Sequence, residues 1–261
     1  MASRTRKILT GLGVTLLALA VLVVGACALF SKSRPEGQPG PKAEELTQKM
    51  QAAVGTEDWE REVGAISWVF AGRNRHLWDK RRDFARVELK GGEVALVDLR
   101  DQTGVARVDG QPVEGERADE IVAQGWAAWV NDAFWLNPIV KATDPGTTRE
   151  VVTLEDGRHA LLVRYGSGGL TPGDEYLWIL EEDGTPKAVR MWVSNIPVKG
   201  AEFSWEGWKD LPGDARVASH HEGLVTIDLT EIEAARTLDE LVEGEDPFAP
   251  LVARRGGAQA P

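Results

Sequence analysis

Apolar side chains recur along most of this chain at every second position, and in a few places the spacing lengthens to three or four. The first long-period segment is 42–54, where Ala43, Leu46, Met50 and Ala53 share one side of a helix that Gly55 stops. Period two begins at 63–71, where Ile66, Trp68 and Phe70 alternate with Ser67 and Val69. It continues at 83–90 through Ala85, Val87 and Leu89, and at 93–100 through Ala95, Val97 and Leu99. Gly91-Gly92 separates the last two, and Asp109-Gly110, a type I′ turn signal, separates 104–108 from 111–113. A second helical stripe then interrupts the strands: Ala118, Ile121, Val122, Gly125, Trp126, Trp129 and Ala133, ended by Asn137-Pro138. Strands resume at 150–154, 158–165, 175–181, 187–194, 201–208 and 215–220. Ile232, Ala235, Leu238 and Leu241 predict a last helix over 229–242, and the stretch to 261 has few apolar residues and reads as a disordered tail from 244.

About ten short strands with three helices predict an α+β domain over 42–243. Its curled antiparallel sheet forms an incomplete β-barrel, because a sheet of that many strands bends strongly and needs one face covered. The helices pack on it as a lid.

Ahead of this domain the chain has a different character. Arg4, Arg6 and Lys7 precede the uncharged run 8–30, which contains Val24-Gly25-Ala26-Cys27 with small residues just before the single cysteine. A basic start, an apolar stretch and small residues at a cut site form a secretory signal peptide, here 1–26. One cysteine forms no internal disulfide. Its position resembles the lipobox of bacterial lipoproteins, which implies a lipid attached at Cys27 after cleavage. An uncleaved signal anchor and simple cleavage are the alternatives, the run being long enough to span a bilayer. All three put the remainder outside the cytoplasm. Ala28 after the cysteine favours the outer membrane, facing the periplasm, by analogy with enteric lipoproteins. SKSRPEGQPGP, which completes 27–41, reads as a flexible linker.

Charge narrows the partners. The chain has 41 acidic and 30 basic residues, a net charge of -11, and three of the basic ones belong to the signal, so the part after Cys27 is still more acidic. That argues against nucleic acid, whose phosphates need clustered Lys and Arg. It leaves a membrane anchor and a hydrophobic or lipid ligand as the expected partners of a chain read as a monomer. No cofactor is called for. Ten tryptophans stand against two tyrosines and six phenylalanines. Indole buries a large apolar area and carries one N–H that needs an acceptor, so the excess marks a bulky core, a ligand cavity or a binding surface.

The stretches SWVFAGRNRHLWDKRRDFARVEL, GWAAWVNDAFWLNP, TPGDEYLWILEEDGTPKAVRMWV and FSWEGWKDLPGDARVASHH, in this order of elements behind a signal and lipobox, resemble the LolA/LolB-like lipoprotein-carrier superfamily. The resemblance covers roughly residues 42–230 and implies a half-barrel with helices as a lid and an apolar cavity able to hold acyl chains. No residue of this chain matches a named functional residue of the characterised carriers.

Enzyme chemistry is not readable. Tyr165-Gly166-Ser167-Gly168-Gly169 lacks the first glycine of a nucleophile elbow, and no phosphate or dinucleotide loop occurs. His220-His221-Glu222 offers metal-ligand types, but adjacent strand residues point to opposite faces. Trp78-Asp79-Lys80-Arg81-Arg82-Asp83 packs charge beside an aromatic and reads as a solvated turn between strands, with a cation–π or carboxylate network as the alternative. The functional expectation is a tethered binding protein, not an enzyme, whose cavity wall is Trp68, Phe70, Trp78, Trp126, Trp129, Trp135, Trp178, Leu180 and Trp192. A structural or interaction protein of the envelope with a filled core is the alternative, and an envelope enzyme the third reading.

Overall fold

The computed structural model describes residues 29–167 and 170–257, so the signal, Cys27 and the last four residues lie outside the described residues. Two helices open the domain, α1 (Pro41–Ala53) and α2 (Thr56–Arg61). Six strands follow: β1 (Ala65–Phe70), β2 (Asn74–Asp79), β3 (Phe84–Glu88), β4 (Val94–Asp98), β5 (Thr103–Val108) and β6 (Gln111–Val113). The long helix α3 (Glu116–Leu136) leads to β7 (Thr147–Thr153), β8 (His159–Tyr165), β9 (Glu175–Leu180), β10 (Pro186–Trp192) and β11 (Ala201–Ser204). The chain ends through β12 (Lys209–Asp210), β13 (Arg216–Val217), β14 (His220–His221), β15 (Ile227–Ala235), α4 (Leu238–Leu241) and α5 (Ala249–Gly257).

All pairings are antiparallel. The larger sheet has the order β14-β15-β1-β2-β3-β4-β5-β6, the smaller β11-β10-β9-β8-β7, and β12 and β13 form a separate two-stranded ribbon. They are stitched where β11 runs into the seam. Ser204 N–H donates to Glu222 C=O at 2.8 Å, and Glu206 N–H to His220 C=O at 3.0 Å. This is the expected α+β fold with large antiparallel sheets that do not close into a barrel. At Asp109-Gly110 both residues have positive φ, 51° and 76°, as a type I′ hairpin requires.

One apolar core joins the inner faces of both sheets to the helices. Ile66, Trp68 and Phe70 of β1 share it with Val163, Trp178 and Met191 of the smaller sheet, Trp135 and Leu136 of α3, and Met50 of α1. The first half of α3 lies on β4 and β5, and it approaches so closely that a Cβ at Gly125 would come within 2.3 Å of Ala95 Cβ. Among the described residues no helix is long and apolar enough to cross a membrane.

Four expectations need correction. The predicted helix over 229–242 is mostly strand: β15 pairs with β1 from Ala65↔Ala235 to Phe70↔Leu229, and only Leu238–Leu241 is helical. Strong local helix formers yield there to the open edge of β1, whose backbone groups need partners. The expected tail is ordered as α5, and Phe248 and Leu251 are buried on the outer face of the larger sheet against Leu77, Phe84 and Leu96. Of the stretch read as a turn, 80–83 is one, but Asp79 belongs with Trp78 to β2, in the middle of that sheet. The stretch from Ser31 to Gln38 is not a loose linker either, because Gln38 exchanges two backbone hydrogen bonds with Val151 at 2.9 and 2.8 Å and so covers the edge of β7.

Candidate functional site

Seven of the nine residues expected to line a cavity meet in the shared core: Trp68, Phe70, Trp78, Trp129, Trp135, Trp178 and Leu180. Strand alternation places them. Trp68 and Phe70 lie on the inner face of β1, Trp78 follows His76 on β2, and Trp178 and Leu180 point the same way from β9. Trp129 and Trp135 descend from the second half of α3. The other two go elsewhere. Trp126 packs, half-buried, on Ile121, Val122 and Ala95, a smaller cluster under the first half of α3. Trp192 lies on the outer face of β10 beside Val152 and Leu162, where its Nε1–H donates to Lys32 C=O at 2.9 Å.

The core holds three further tryptophans: Trp59 and Trp205, both fully buried, and Trp208, partly buried against it. Trp205 follows Phe203 at strand spacing within 201–208, so its side of the sheet was legible. Trp59 sits on a six-residue helix too short to show a period. The rings touch one another. Trp78 meets Trp129 edge-on at 5.1 Å and Trp59 at 6.1 Å. Trp205 meets Trp178 at 5.1 Å and Trp135 at 6.0 Å, and Trp135 meets Phe203 at 5.0 Å.

Polar groups are threaded between these rings. His76 stacks on Trp68 at 4.5 Å, and its Nε2 lies 2.7 Å from Asp132 Oδ2. A carboxylate only accepts, so Nε2 carries a proton, and Nδ1 is buried without a partner among the described residues. Asn74 and Asn131 each donate to Asp132 at 2.9 Å, which completes the carboxylate's shell. His221 is enclosed by Trp135 and Trp205, and burial pushes it down to about 4. Lys80 lies over Trp59 at 4.3 Å and donates to Trp59 C=O at 2.6 Å; burial lowers it to about 8. Burial likewise raises Tyr165 and Tyr176 above the ordinary phenol range.

The decisive feature is the indole N–H groups. Those of Trp59, Trp68, Trp78, Trp129, Trp178 and Trp205 are buried, and none has an acceptor among the described residues. Leaving a buried donor unpaired costs about 1–3 kcal/mol. Interiors contain few such groups, so six in one core is a large concentration.

A separate open cleft of ≈ 560 Å³ flanks β14 and β15 and is lined by Lys209, Ser219, His220, Asp228 and Glu231. His220 Nδ1 lies 2.7 Å from Asp228 Oδ1, and that hydrogen bond raises its pKa. The two adjacent histidines thus face opposite environments, one in this cleft and one in the core. Among the described residues no group of three His, Cys, Asp or Glu is placed to hold a metal ion.

No family model matches this chain. No curated protein matches it either. Among solved structures it is similar to a DUF1329 family protein from Desulfovibrio piger, at 8% identity and a TM-score of 0.37, over 81% of this chain and 98% of that one. A likeness of that size carries no argument about ligand or activity.

Proposed function

We propose that this chain is a membrane-tethered envelope protein, held by a lipid on Cys27, that binds an amphiphilic lipid between its curled sheet and α3. The observation that carries the reading is the set of six buried indole donors without acceptors. An ester, hydroxyl or carboxylate oxygen would supply what those donors lack, while the indole faces take the acyl chain. Fatty acids and lysolipids combine both chemistries. The resemblance to lipoprotein carriers supports the same reading, and so does the N-terminal address, which we read as that of an outer-membrane lipoprotein facing the periplasm. The role is binding and not catalysis.

Trp78 of β2 and Trp129 of α3 are in edge contact, so a ligand that enters between them must part the helix from the sheet. A chain starting at Ala28 keeps the elements from α1 to α5. Its tryptophan emission should change saturably on titration with a fatty acid or lysolipid, and native protein should yield lipid on extraction. The mass of the mature N-terminus should show an acylated Cys27.

The ring-to-ring contacts favour a second reading, an interaction protein whose core is filled. No change of emission together with no extractable lipid would select it, and crosslinking in cells would then recover a protein.

A further inference from the structure

The segment before α1 crosses the outer face of the smaller sheet as a strap. Lys32 N–H donates to Lys199 C=O at 2.8 Å and Lys199 N–H to Ser31 Oγ at 3.0 Å. Arg34 bridges Glu150 at 2.9 Å and Glu175 at 2.8 Å. At Gly37 the strap lies so close to β7 that a Cβ would come within 2.6 Å of Glu150 Cβ.

The strap starts at one defined end of the sheet. There β8 runs into β9 and β10 into β11, and Ser194 N–H ties the two connections by donating to Asp174 Oδ1 at 2.9 Å. Three exposed apolar side chains belong to the segments that lead here: Leu29, 85% exposed, and Phe30, 72%, just ahead of Lys32, and Leu170, 45%, in the connection from β8 to β9. Leu29 and Phe30 are also the last residues of the uncharged run 8–30. Lys32 is exposed beside them, while Glu175 is neutralised by Arg34.

We propose that this end of the domain lies flat against the bilayer, with Leu29, Phe30 and Leu170 in the headgroup layer, and that the strap fixes this orientation. The proposal rests on the tethered reading, and it holds whether Cys27 is acylated or the apolar run remains as a membrane helix. Four residues from Cys27 to Ser31 reach at most ~14 Å. A domain pinned at Ser31 therefore cannot turn as it would on a free linker, and the end that carries the strap must face the membrane.

The test uses the full chain in vesicles of phosphatidylethanolamine and phosphatidylglycerol that contain headgroup-nitroxide lipid. A genetically encoded fluorescent amino acid is placed in turn at Leu170, Asn195, Asp156 and Asp183, the last two in the turns at the far end of the same sheet. Quenching should be at least threefold stronger at 170 and 195 than at 156 and 183. Gly37→Val should displace the strap, leave the chain on the vesicles and abolish that difference. Chain that floats with vesicles but shows equal quenching at both ends overturns the orientation and leaves the tether standing. So does a 170 probe shielded from water yet not quenched, which means that a protein covers this end. An unchanged difference in Gly37→Val overturns the role of the strap. Chain that does not float overturns both the tether and the orientation.

Discussion

His221 has a carbonyl oxygen opposite each ring nitrogen, Ser204 at 3.2 Å and Trp135 at 3.1 Å. A neutral imidazole donates from only one nitrogen, so one carbonyl faces a lone pair. Protonation would satisfy both, yet burial outweighs that gain and holds the group near 4, below its ordinary 6.5. A histidine kept neutral in the fold and free to protonate when unfolded destabilises the protein as pH falls through that interval. Stability is therefore full above about pH 6.5 and should drop by up to about 3 kcal/mol by pH 4. His221→Gln, which does not titrate, should flatten the urea midpoint across the same range; an unchanged slope would assign it to other groups. Asp132 makes a second residue-scale case. Asp132→Ala strips the acceptor from buried His76 and two asparagines and should cost about 1–3 kcal/mol in chemical denaturation for buried donors left unpaired. A loss under 1 kcal/mol would show that the network contributes little. Nothing local in the sequence announces this pair, because 56 positions separate the two residues and only the crossing of α3 over β2 brings them together.

At the scale of elements the readable parts are those whose own pattern agrees with their surroundings. α1, α3 and the hairpins of the first meander follow their periods to within a few residues. β2 was opaque because its inner row is Asn74, His76 and Trp78, so polar residues stand where an apolar face would mark a strand. They are tolerated there because Asp132 arrives from α3. β15 was misread because Ile232, Ala235, Leu238 and Leu241 keep helical spacing by chance, while pairing with β1 decides the conformation. α5 shows how few apolar residues anchor an element: Phe248 stacks near Phe84 at 5.7 Å, and Arg255 pairs with Asp98. Phe248→Ala should cost about 3–5 kcal/mol, as for a core aromatic, whereas a loose tail would lose nothing. Gly125→Val should lift α3 from β4 and cost about 1–3 kcal/mol, read as a lower thermal midpoint.

For the molecule as a whole, the core that spans both sheets makes the two halves unfold together. Circular dichroism and tryptophan emission should give coincident urea transitions, and two separated transitions would mean that the seam at β11 and β14 does not couple the sheets. Seven of the nine candidate wall residues meet in that core; alternation places Trp68, Phe70, Trp178 and Leu180, the helical stripe places Trp129, and Trp78 and Trp135 fall outside both patterns. Trp192 could not be placed in this way, since its strand buries apolar residues on both faces and the strap covers the outer one. What no pattern could foretell is that the buried indole donors lack acceptors, because that depends on every neighbour at once. The claim that these donors receive a lipid is tested most directly by indole ¹⁵N–¹H spectra of the chain from Ala28, with each of its ten tryptophans assigned. On addition of a lysolipid, the N–H signals of Trp59, Trp68, Trp78, Trp129, Trp178 and Trp205 should move downfield as they gain acceptors, while that of Trp192, already bonded to Lys32, stays in place. If the six stay where they are at saturating lysolipid, the interior is a closed core and the binding account is wrong.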